Sequence, residues 1–138
     1  MPMPLSRRHA FAGLLLLASL PALGACARLF GPDVPRYVIF FQPFSASLDD
    51  TAQGAVKAAA AHARANPDAR IYVSGYATAD NSPQANQRLS VTRAHVVADA
   101  LRANGVDPSR LRPKGEGQVD VALDPIEGRR VEISIGAP

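Results

Sequence analysis

The chain of 138 residues has a single cysteine, Cys26. One cysteine excludes an internal disulfide and any cysteine-based metal cage. Histidine is scarce too, and His62 and His95 fall on separate predicted helices. No carboxylate pair and no set of ligands has the spacing of a catalytic or metal site. An enzyme is therefore the reading with least support, and no cofactor or metal is expected. Long apolar runs are also missing. The longest, Ala10 to Leu20, is about eleven residues, where a spanning helix needs roughly 20. Nor is there an excess of one charge. The pI of 9.5 invites a nucleic-acid reading, but Arg7 and Arg8 lie in a segment expected to be removed, and without those two the formal charge drops from +3 to +1. Scattered arginines on a nearly neutral domain make no funnel for phosphates. Internal repeats and low-complexity stretches are absent. The length suits one domain with a real core, not two.

What is present begins with a targeting segment. Arg7-Arg8 is a positive n-region, Ala10–Leu20 an apolar core, and Pro21-Ala-Leu-Gly-Ala25 a small-residue approach to a cleavage site. Leu23-Gly24-Ala25-Cys26 resembles the lipobox of bacterial lipoproteins, whose cysteine is acylated and becomes the new N-terminus. The alternative is ordinary cleavage beside a chance cysteine. Acyl chains such as palmitate would anchor the chain, at about 0.8 kcal/mol per buried CH₂. Ala27 replaces the aspartate of the usual inner-membrane retention signal, which implies sorting to the outer membrane. Ser6-Arg7-Arg8 hints at twin-arginine export, but His9-Ala10-Phe11 fits that pattern poorly. The expected division is a signal peptide over 1–25, a lipidated tether over 26–36 and a folded domain over 37–138.

Tyr37-Val-Ile-Phe-Phe41 is dense in β-branched and aromatic residues and predicts a buried strand ended by Pro43. Asp49 or Asp50 can cap the next helix, and Asp50 with Gln53 has capping-box spacing. Ala52, Ala55, Val56, Ala59 and Ala63 recur at helical spacing, so this helix should pack close to its sheet, until Asn66-Pro67 stops it. His62 sits late in that helix, where a positive charge is welcome. Ile71 to Tyr76 predicts a second strand. Ser82-Pro83 opens a second helix with serine at the cap and proline at the first helical position, and Asn104-Gly105 ends it. Leu111 to Gly117 predicts a short third strand broken by Gly115 and Gly117, Val119 to Gly128 a loop, and Arg129 to Ile135 a final alternating strand. The order β-α-β-α-β-β predicts an α/β (α+β) fold, one mixed sheet with helices packed on it.

The second helix carries polar residues where apolar ones are expected. At 100° per residue, Asn86 and Arg93 lie about 20° from alignment, with Val97 close to the same line and Ser90 between them. Arg93 therefore falls inside the core-facing stripe, and a half-buried guanidinium needs partners. Two readings stay open. Arg93 satisfies loop carbonyls or a carboxylate such as Asp80, or it holds a bound carboxylate with its two-pronged donor geometry.

Taken together, Tyr37-Val-Ile-Phe-Phe41, Ser45-Ala-Ser-Leu48, Gly75-Tyr76, Asn86-x-x-Leu89-Ser90-x-x-Arg93-Ala94, Gly105-Val106, Gly115-Glu116 and Arg129-Arg-Val-Glu-Ile133 resemble the OmpA-like C-terminal domain family, in a lipidated member. The resemblance covers residues 37–136 and implies non-covalent binding of peptidoglycan. In that family an aspartate after the second strand and the arginine of the Leu-Ser-x-x-Arg-Ala segment grip the diaminopimelate of the stem peptide. The arginine maps onto Arg93 and the asparagine onto Asn86. The aspartate does not map: counting back from Asn86 without gaps places Thr78 there, and Asp80 lies two residues later. Thr78 can hydrogen-bond an ammonium but cannot pair its charge. The implied site is Thr78, Asp80, Asn86 and Arg93, with Cys26 as the lipidation site. The implied role is an outer-membrane lipoprotein whose domain faces the periplasm and tethers that membrane to the cell wall. The alternative keeps the scaffold, loses tight wall binding and serves an envelope protein partner; Thr78 favours it.

Overall fold

The computed structural model describes residues 34–79, 82–119 and 125–136. The targeting segment, Cys26 and Asp80 lie outside them. Strand β1 spans Arg36–Phe40, helix α1 Asp50–Ala65, β2 Ile71–Thr78, α2 Pro83–Ala103, β3 Leu111–Val119 and β4 Arg130–Ile135, with 3₁₀ turns at Pro108–Arg110 and Pro125–Gly128. The predicted order of elements and the single mixed sheet are found.

The cap of α1 is Asp49, whose carboxylate accepts from the Ala52 N–H at 2.8 Å. The capping box read from Asp50 and Gln53 does not form: Asp50 is already helical, and the Gln53 amide donates to the Leu48 carbonyl instead, at 3.4 Å. Ala52, Val56, Ala59, Ala60 and Ala63 are buried, and their small side chains bring the helix close to the sheet. His62 shares a hydrogen bond with the Tyr37 hydroxyl at 3.1 Å, tying α1 to β1. Helix α2 is capped by the Ser82 hydroxyl and carries Pro83 in its first turn, as its sequence requires.

The strands run in the order β1-β4-β2-β3. β4 is antiparallel to both β1 and β2, while β2 and β3 are parallel. A parallel pair needs a crossover, and α2 supplies it. Ile39, Val73, Val131 and Ile133 join Val56, Val97 and Leu101 in one core, so both helices lie on one face of the sheet. Residues 33–138 form a compact unit closed around that core.

β3 differs from its sequence reading. It is one strand of nine residues, not a short one broken at two glycines. The glycines serve the approach of α2. A Cβ on Gly75 would lie 2.2 Å from the Ser90 carbonyl oxygen, and one on Gly115 2.6 Å from the Val91 nitrogen. The register then slips: Gly75 pairs with Gly115, but Tyr76 with Gly117, leaving Glu116 as the extra residue of a bulge. Gly117 takes φ +80°, and its N–H donates to the buried Ser90 hydroxyl at 3.0 Å. No periodicity rule counts the backbone of a distant helix, which is why the two glycines read as breaks.

Candidate functional site

The site lies at the C-terminal end of β2, where the first half of α2, the segment after β1 and the start of β4 converge. The buried polar residues Thr78, Asn86, Ser90 and Arg93 all belong to it. Helical spacing aligns Asn86, Ser90 and Arg93 on the sheet-facing side of α2, and the glycines of β2 and β3 let that side come close.

Arg93 is fully buried. Its Nε donates to the Ser45 carbonyl at 2.8 Å, one terminal nitrogen to the Tyr76 carbonyl at 2.9 Å and the other to the Gln42 carbonyl at 3.3 Å. The guanidinium carbon sits 5.2 Å from the centre of the Phe41 ring. Arg93 thus pins the 42–45 loop to the end of β2, which is the loop-carbonyl arrangement of the two readings above. A guanidinium has five N–H donors; the three bonds leave one hydrogen on each terminal nitrogen. Burial first, and then the nearby Arg129 charge, lowers the Arg93 pKa to about 10. The group still carries its charge at neutral pH. Among the described residues no carboxylate forms an ion pair with it.

Arg129 is a second cation here, and it was not among the site residues read from sequence. It is half-buried, and its Nε reaches the Phe41 carbonyl at 3.3 Å. Its terminal nitrogens make no hydrogen bond to other described residues. The available signal was the Arg129-Arg130 doublet at the start of a strand. Alternation sends the two side chains apart: Arg130 stacks 4.2 Å over the Tyr76 ring and pairs with Glu132 at 2.7 Å, while Arg129 turns toward Arg93.

Asn86 donates to the Gln118 side chain at 3.1 Å, joining α2 to β3. Thr78 is buried, and Gly128 lies so close that a Cβ there would stand 2.6 Å from the Thr78 methyl group. The structure therefore gathers Thr78, Asn86 and Arg93 at one end of the sheet and adds Arg129. The site thus holds two cations and neutral polar groups, and no carboxylate of the described residues pairs with either cation.

A two-layer domain with a β1-β4-β2-β3 sheet matches an established class. The OmpA family pattern matches residues 40–130, and the chain belongs to that family. A probable lipoprotein of Escherichia coli, YiaD, is 32% identical over 103 residues, which cover 70% of this chain and 47% of that protein. ArfA of Mycobacterium tuberculosis, a peptidoglycan-binding protein, is 34% identical over 123 residues, 83% of this chain and 38% of its own. The chain thus spans less than half the length of these curated relatives. The crystal structure of the peptidoglycan-associated lipoprotein from Burkholderia pseudomallei shares the fold with a TM-score of 0.67 at 22% identity, over 72% of this chain and 89% of that one.

Proposed function

We propose that this chain is an outer-membrane lipoprotein whose OmpA-like domain binds peptidoglycan without a covalent bond and tethers that membrane to the wall. The domain is a binding module and not an enzyme. The observation that carries this reading is the Arg93–Arg129 pair: two neighbouring cations, one buried and one at the rim, with no carboxylate from the described residues on either. A stem-peptide carboxylate supplies the missing charge. Its first contact is Arg129, which is less buried than Arg93. It reaches Arg93 when the 42–45 loop gives up a carbonyl bond. The peptidoglycan-binding relative named above supports the choice of ligand.

The test is co-sedimentation with purified sacculi. Wild type is expected to sediment with them, and free stem peptide containing diaminopimelate is expected to compete. Thr78→Asp should strengthen binding by supplying a partner for the ligand's ammonium, with the melting temperature recorded because Gly128 crowds that position. If Asp80→Asn weakens binding while Thr78→Asp adds nothing, Asp80 fills the role and the ungapped alignment is wrong. A wild type that never sediments favours the second reading, a scaffold for an envelope protein partner. That reading draws on Thr78 in place of aspartate and on the three carbonyls that already occupy Arg93.

Under the same proposal, residues 1–25 are a signal peptide, 26–36 a tether and Cys26 the acylated N-terminus. Mass spectrometry of the native protein should find a chain beginning at Cys26 with its acyl groups attached. An uncleaved chain, or one beginning elsewhere without acyl groups, would sink the anchor.

A further inference from the structure

Both helices cover one face of the sheet. The other face is crossed by a straight row of register partners, Arg36 on β1, Ser134 on β4, Tyr72 on β2 and Arg112 on β3. At about 4.8 Å per strand, the two arginines stand roughly 14 Å apart. Both are exposed, and neither pairs with a carboxylate among the described residues. Arg112 donates only to the carbonyls of Ser109 and Leu111. The next row holds Lys114 at the β3 edge and Val38, exposed, at the β1 edge. Between the rows lies an open hollow of about 680 Å³. The carboxylates on this face, Glu116 and Glu132, are already engaged by Lys114 and Arg130. From residue 33 onward, acidic and basic residues are equal in number. The surplus of positive charge on this face is therefore local, and not the spill-over of a basic domain.

We propose that this helix-free face is a docking surface for anionic lipid headgroups, and that it lays the domain against the membrane that anchors it. The proposal rests on the lipid-anchor reading for its geometry. Arg36 is the first residue of β1 and follows Cys26 by ten positions. At most about 3.6 Å per residue, the tether holds this row within roughly 36 Å of the bilayer surface. Of the surfaces within that reach, the row beginning at Arg36 is the one where the tether enters. Phosphates meet Arg36 and Arg112, while Val38, exposed at the β1 edge, meets the interface. The Arg93–Arg129 site is at the other end of β2. Six residues from Tyr72 to Thr78 place it about 20 Å along the strand, clear of the docked row.

The test uses residues 33–138, a compact unit with its own core and no acyl chain. The unit is sedimented with phosphatidylcholine vesicles with or without phosphatidylglycerol. Expected is enrichment on the anionic vesicles alone, released at about 1 M salt, where screening falls to about 3 Å. The double variant Arg36→Glu/Arg112→Glu should lower that partitioning by about tenfold or more. Lys57→Glu/Arg88→Glu makes the same charge change on exposed helix positions and should leave it near wild type. No enrichment on anionic vesicles overturns the proposal, and so does equal loss in both double variants. A dimer in analytical ultracentrifugation that Arg36→Glu/Arg112→Glu splits assigns the face to a second copy and also overturns it. Failure of the anchor is read separately, from the mass of the native N-terminus.

Discussion

Arg93→Ala is expected to lower the stability of the domain by on the order of 3 kcal/mol and to remove sacculus binding. Truncation leaves the carbonyls of Gln42, Ser45 and Tyr76 without their donors, and an orphaned buried acceptor costs about 1–3 kcal/mol. The sum is tempered because the variant no longer buries a charge that the folded state disfavours, as the lowered pKa of about 10 records. Arg93→Lys separates the two roles. It keeps the charge but gives up the planar fork, so it should recover part of the binding and little of the loop restraint. Urea unfolding read by circular dichroism gives the stability, and sacculus sedimentation at a temperature where each variant is folded gives the binding. An unchanged unfolding midpoint for Arg93→Ala would refute the clamp. A folded Arg93→Ala that still sediments with sacculi would refute the binding role and leave Arg93 structural.

The second large effect belongs to Val97, which is fully buried between the helices and the sheet. Val97→Asp places a carboxyl within the apolar core cluster. The group must desolvate as an anion or bind a proton, and either route costs more than 4 kcal/mol. A domain of this size has about 5–15 kcal/mol in total. The variant should show no cooperative thermal transition above room temperature. Val97→Ala removes two methyl groups without adding charge and should fold, at a loss of about 1.5–3 kcal/mol. A cooperative melt of Val97→Asp near that of wild type would place Val97 outside the core.

The two substitutions separate what local rules convey from what they leave out. The stripe containing Val97 is a matter of helical period, and the same period exposed Arg93 as a cation on the wrong side of α2. The need for a partner was therefore legible. The partners were not, because Arg93 stands 48 residues from Ser45 and 51 from Gln42. Arg110 repeats the lesson with no warning in its sequence. It donates to the carbonyls of Ala69, Ala63 and Asn66 and so closes the end of α1 from across the fold.

By itself, the sequence determined the element order, the Ser82-Pro83 and Asn104-Gly105 helix ends and the alanine face of α1. Each depends on residues within a few positions of one another, where backbone sterics and side-chain period act alone. Only the tertiary structure decided the strand order β1-β4-β2-β3, the unbroken β3 with its bulge, and the meeting of Arg129 with Arg93. Gly75 and Gly115 show the reason. Locally a glycine is a point of weakness, and only the Ser90 carbonyl and the Val91 backbone nitrogen pressing on them turn it into a requirement. The site exists because that close approach brings one end of α2 down onto the carbonyl end of β2.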